Sequence, residues 1–99
     1  MPTFFPWALD SREPRHPIIG RTIRTLRMEA GMTQEQVALE AKINKSEVSL
    51  LEQGLRNPKW ETMKRLAKGL GVPCWHMVAL GEQLEADESE DEDTRPPPG

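Results

Sequence analysis

Apolar residues recur at helical spacing in five successive windows, and most windows are bounded by a capping or breaking residue. Between Ile18 and Ala30, Ile19, Ile23 and Leu26 share one face, with Arg21, Arg24 and Arg27 interleaved and Gly31 ending the run. Thr33 opens a second helix at about 34–41, with Val37, Ala38 and Ala41 on its inner face. Gln36 follows Thr33 at the spacing of a capping box, in which each side chain satisfies a free backbone N–H of the other. Asn44 and Glu47 repeat that spacing before a third helix at about 45–53, where Val48 and Leu51 continue the apolar face. Gly54 can take positive φ and stop it. Two capped helices separated by a joint of about three or four residues must cross steeply, as in a helix-turn-helix.

The pattern continues past Asn57-Pro58, a turn signal in the loop 55–59. A fourth helix is expected at about 59–69, with Trp60, Met63, Leu66, Ala67 and Leu70 inward. Gly71 interrupts the chain, and Pro73 opens a fifth helix carrying Trp75, Val78, Ala79 and Leu84. The prediction is an all-α, five-helix domain at 18–84. Before it lies a proline-rich arm, 1–17, expected to be partly disordered, although Phe4, Phe5 and Trp7 could dock on the domain or a second subunit and Arg12 and Arg15 could reach a DNA groove. After it comes an acidic tail, 85–99, expected to be solvated and disordered.

Charge sharpens this division. The formal net charge of −3 hides unlike segments: residues 18–81 carry ten Lys or Arg against six Asp or Glu, and 82–99 carry eight acids against Arg95. A positive globular part suits a nucleic-acid binder, and an acidic tail is a separate feature. No run approaches the roughly 18 apolar residues of a membrane span. No secretion signal is evident, and the single cysteine, Cys74, fits a reducing cytoplasm, so a cytoplasmic protein without membrane partners is expected.

Several linked motifs then become recognisable. They are Ile23-x-x-Leu26-Arg27, Gly31-x-Thr33-Gln34-Glu35-x-Val37-Ala38, Val48-Ser49-x-Leu51-Glu52-x-Gly54, Asn57-Pro58, Thr62-Met63 and Ala67-x-x-Leu70-Gly71-Val72. Together, in this order, they resemble the lambda-repressor-like, Cro-type helix-turn-helix domain of the XRE family over about 60 residues. The resemblance implies a five-helix DNA-binding domain that works as a dimer on a two-fold symmetric operator. One departure is the joint Ala41-Lys42-Ile43, where the family usually places a glycine. A lysine at positive φ there costs about 1 kcal/mol.

In such an architecture the third helix enters the major groove. With Val48 and Leu51 inward, Lys45, Ser46, Ser49 and Leu50 lie on the outer side. Lys45 suits a guanine O6/N7 contact and Leu50 a thymine methyl. Asn44 is expected to cap the helix, with a base or phosphate contact as an alternative, and Glu47 to stay on that cap. Gln34, at the N-terminus of the second helix, suits a phosphate, and the resemblance places a phosphate contact there. Arg56, Asn57 and Lys59 would touch the DNA backbone. The resemblance also implies a partly buried Arg27–Glu52 ion pair that fixes the presentation of the recognition helix.

Other chemistry is not expected. Cys74-Trp75-His76 with His16 is too sparse for zinc, and no nucleophile–base pair is visible, so neither catalysis nor a cofactor is anticipated. Helix five and the arm are the expected homodimer surfaces, because Trp75, Met77, Val78 and Leu80 exceed what one short helical face can bury. The reading is a transcriptional regulator of double-stranded DNA, with repression favoured over activation. The alternatives are an antitoxin and a protein-interaction module on the same fold. A protein partner could engage the arm or the acidic tail, and the tail could also serve solubility or compete with DNA for the basic face.

Overall fold

Helices begin where proline and the capping residues allow them. A computed structural model describes residues 15–93 and contains α1 (Pro17–Glu29), α2 (Gln34–Ala41), α3 (Lys45–Glu52), α4 (Trp60–Leu70) and α5 (Cys74–Asp93). There is no strand among the described residues. Pro17 opens α1, where its missing N–H would have had no intrahelical partner. The N–H groups of Arg15 and His16 both donate to the Gly54 carbonyl at 3.0 Å, tying the entry of α1 to the end of α3. Positions 15–17 therefore belong to the folded part rather than to the arm, and residues 1–14 lie outside the described residues.

One buried cluster joins all five helices. It takes Ile23 and Leu26 from α1, Val37, Ala38 and Ala41 from α2, and Val48 and Leu51 from α3. Leu66, Ala67 and Leu70 from α4 and Met77 from α5 complete it. Each fully buried Leu, Ile, Val or Met contributes about 1.5–3 kcal/mol relative to exposure. The seam between α1 and α3 is closer than side chains allow. A Cβ on Gly20 would lie 2.5 Å from the Glu52 carbonyl oxygen and 2.6 Å from that of Leu51. Glycine is required there because the obstacle is backbone on both counts.

Three expectations are corrected. Trp60 is 62% exposed, because α4 starts at that residue and its inward row begins at Met63. The inward phase of α5 is set by Met77, which is buried, whereas Trp75, Val78 and Ala79 face outward. Gly81, one turn after Met77, lets α5 lie close to α1: a Cβ there would meet the Thr22 hydroxyl at 3.3 Å. Finally, α5 does not stop near Leu84 but runs to Asp93, well into the stretch expected to be a disordered tail. Glu and Ala are good helix formers, and neither Gly nor Pro interrupts the chain between Gly81 and Pro96. No helix among the described residues is long and apolar enough to cross a membrane.

Candidate nucleic-acid interface

The capping box of α2 forms in both directions. The Gln36 N–H donates to Thr33 Oγ1 at 3.1 Å, and the Thr33 N–H donates to Gln36 Oε1 at 2.7 Å. At the other end Lys42 takes φ 60° and ψ 45°, and its N–H donates to the last carbonyls of α2. A non-glycine residue thus makes the sharp joint, with its side chain exposed. The Ile43 N–H donates to the Ala38 carbonyl at 3.0 Å, fixing where the chain leaves α2 and hence how α3 is aimed.

The same spacing behaves differently at α3. Asn44 has the extended backbone of a capping residue, φ −75° and ψ 147°, but its side chain makes no cap hydrogen bond. Glu47 is not on the cap either, which corrects the expectation for both residues. Its carboxylate faces Arg56, with Nη1 to Oε1 at 3.4 Å. The pair neutralises the acid within α3 and links this helix to the loop that follows. The first turn of α3 is left without a side-chain cap, and such an end has N–H groups available to an anion.

The outward row of α3 is polar. Lys45 and Ser46 are exposed, and Ser49 and Leu50 are half-buried. Gln53, which periodicity places in line with Ser46 and Ser49 but which was not singled out, donates to Ser49 Oγ at 2.9 Å and to the Ser49 carbonyl at 3.1 Å. Asn44, Arg56, Asn57 and Lys59 are all exposed.

Behind this row lies the group that orients it. Arg27 Nε donates to Glu52 Oε2 at 2.5 Å, and Nη2 donates to Oε1 at 3.0 Å. The remaining Arg27 Nη1 reaches the Met32 carbonyl at 2.9 Å, in the turn before α2. Gln34 Nε2 donates to the same Glu52 Oε1 at 3.0 Å. One carboxylate, with its side chain 4% exposed, thus gathers α1, the start of α2 and the end of α3. The hydrogen bond with Glu52 raises the Arg27 pKa above its ordinary value, against the opposing effect of burial. Gln34 gives one of its two amide hydrogens to this network, which fixes the side chain at the α2 N-terminus and leaves the second hydrogen, beside the free backbone N–H groups, for a phosphate.

Among the described residues, no group of three or more His, Cys, Asp or Glu is arranged to hold a metal ion. What the arrangement offers is a rigid pair of crossed helices with an uncapped, polar, partly basic edge. It is a helix-turn-helix scaffold.

The family described as a helix-turn-helix domain matches residues 18–74, and the chain belongs to it. It is 40% identical over 60 residues to the cryptic phage CTXphi transcriptional repressor RstR of Vibrio cholerae, covering 61% of this chain and 54% of that protein's length. It is also 40% identical to an uncharacterised helix-turn-helix-type transcriptional regulator, y4dJ, of Sinorhizobium fredii, over 62% of this chain and 79% of that one. Among solved structures, the restriction-modification controller protein C.AhdI of Aeromonas hydrophila superposes with a TM-score of 0.60 at 28% identity, covering 62% of this chain and 92% of that one.

Proposed function

We propose that the protein is a sequence-specific regulator that binds duplex DNA as a homodimer and represses transcription by covering a promoter, without catalysis. The observation that carries this reading is the outer edge of α3. It presents Lys45, Ser46 and Ser49 in one polar row, continued by Gln53, on a helix whose angle is set by Glu52. Side chains of this type read base edges in the major groove, Lys45 through guanine O6/N7. Leu50 stands beside them for a thymine methyl. The backbone N–H groups at the start of α2 with the Gln34 side chain, and the side chains of Arg56, Asn57 and Lys59, would hold phosphates and so set register. Asn44, free of capping duty, is available to a base or a phosphate. The outward face of α5 supports the dimer, since Trp75 is 69% and Val78 47% exposed. The likeness to a phage repressor supports repression.

Selection of bound sequences from a random duplex pool tests the reading. The expected result is two half-sites related by a two-fold axis, with centres about 10 base pairs apart or a multiple of that. A pool with no enrichment after repeated rounds at low salt contradicts it.

A further inference from the structure

Two acids of the C-terminal half of α5, Glu85 and Glu88, lie beside the start of α1. The helix carries eight acids between 82 and 93, and no base occupies its last turn. Negative charge at a helix C-terminus opposes the helix dipole, so this end needs positive charge from elsewhere. Ahead of that last turn, α1 supplies some. Glu88 forms an ion pair with Arg21, across the chain from one helix to the other. One turn earlier, Glu85 shares a groove with Arg15, His16 and Ile18 at the start of α1 and with Asn57 from the loop after α3. The start of α1 has no acid in its first turn and no side-chain cap on its N-terminus, so it is itself an electropositive end.

We infer that Glu85 and Glu88 of α5 are a built-in electrostatic brake that competes with DNA phosphate at the 56–59 loop beside the start of α1. This rests on the DNA-binding reading above. The competition is local, because Glu85 lines the same groove as Asn57, one of the residues assigned to the phosphate backbone. A phosphate approaching Asn57 meets the Glu85 carboxylate that lines the same groove, and charges that close are screened incompletely by salt. The competitor is tethered, so it acts at high effective concentration without being tightly held. The ion pair is half exposed on both sides and is therefore weak enough to open when DNA arrives.

The test compares Glu85→Gln with Glu88→Gln in one variant against Glu29→Gln with Glu40→Gln in another, each in the full chain. Both variants change net charge equally, but the second pair lies on α1 and α2 away from this groove. Binding to a labelled random-sequence duplex is followed by anisotropy as salt rises. At about 50 mM salt the α5 variant should bind about three- to tenfold tighter than the native chain, the gain should shrink at higher salt, and the control should gain less than about twofold. Equal gains from both variants would mean bulk charge alone and overturn the proposal. Binding by the native chain with no gain in the α5 variant also overturns it, leaving DNA binding intact. If no form of the protein binds at low salt, the DNA-binding reading fails and the brake with it.

Discussion

Helices α2 and α3 carry the same signal in sequence and end up with opposite termini. Thr33 and Gln36 close a reciprocal box over the start of α2. Asn44 and Glu47 stand at the same spacing and close nothing; the Glu47 carboxylate faces Arg56 instead. The supporting helix is sealed, and the helix that would enter the groove is left open. The capping-box spacing is thus not sufficient for the box: the same side chain can be turned to a cation nine positions later in the chain. The contrast also has a functional side. Sealing α2 serves stability, whereas an uncapped α3 keeps N–H groups and the positive end of its dipole for a ligand.

The largest blow to both helices should come from the residue they share. Glu52→Ala removes the acceptor for two Arg27 bonds and for Gln34, leaving a largely buried guanidinium without its partner. A loss of about 3 kcal/mol is expected, read as a fall in Tm together with loss of duplex binding. An unchanged Tm would remove Glu52 from its place as the joint of the fold. Next, Gly20→Ala should cost about 2 kcal/mol, since the new methyl meets the Glu52 and Leu51 carbonyls and backbone cannot step aside. Chemical denaturation measures it, and a neutral result would mean that α1 and α3 are further apart than described.

The comparison itself is sharpened by paired substitutions. Thr33→Ala should destabilise by about 1 kcal/mol, and Asn44→Ala by less than about 0.5 kcal/mol, because only the first side chain makes a cap bond. Equal losses would show that Asn44 caps α3 after all. A small effect of opposite sign is expected at the joint: Lys42→Gly should stabilise by about 0.5 kcal/mol, relieving a positive φ while giving the unfolded chain more freedom. A destabilised variant would mean that the lysine side chain contributes packing or charge that outweighs its strain.

Most of the scaffold was legible because local rules agreed with one another. Caps, periodicity and glycine stops placed α2 at its observed bounds and α3 within a residue of them. What sequence could not show was decided by contacts between distant residues. Gly20 looks like a weak spot within a helix until α3 is brought against it. The phase of α5 failed because Trp75 and Val78 have more apolar weight than Met77 and Gly81, yet the small Gly81 is what brings α5 onto Thr22. The length of α5 was missed because an acidic run without apolar residues reads as solvated chain, although its Glu and Ala are good helix formers and no Gly or Pro stops them. At the interface, outward direction along α3 followed from period alone, whereas the true partners of Glu47 and Gln34 depended on tertiary neighbours. The arm that carries Phe4, Phe5 and Trp7 lies outside the described residues.

Lys45 is the sharpest point at which to ask whether the α3 edge reads DNA. The direct measurement is the affinity of Lys45→Ala for the selected duplex and for duplexes with each base pair of the half-site replaced in turn. The variant should keep its Tm and lose about 1–3 kcal/mol of discrimination at a single guanine position, with the other positions still read. Unchanged affinity and unchanged discrimination at every position would contradict a reading surface on α3.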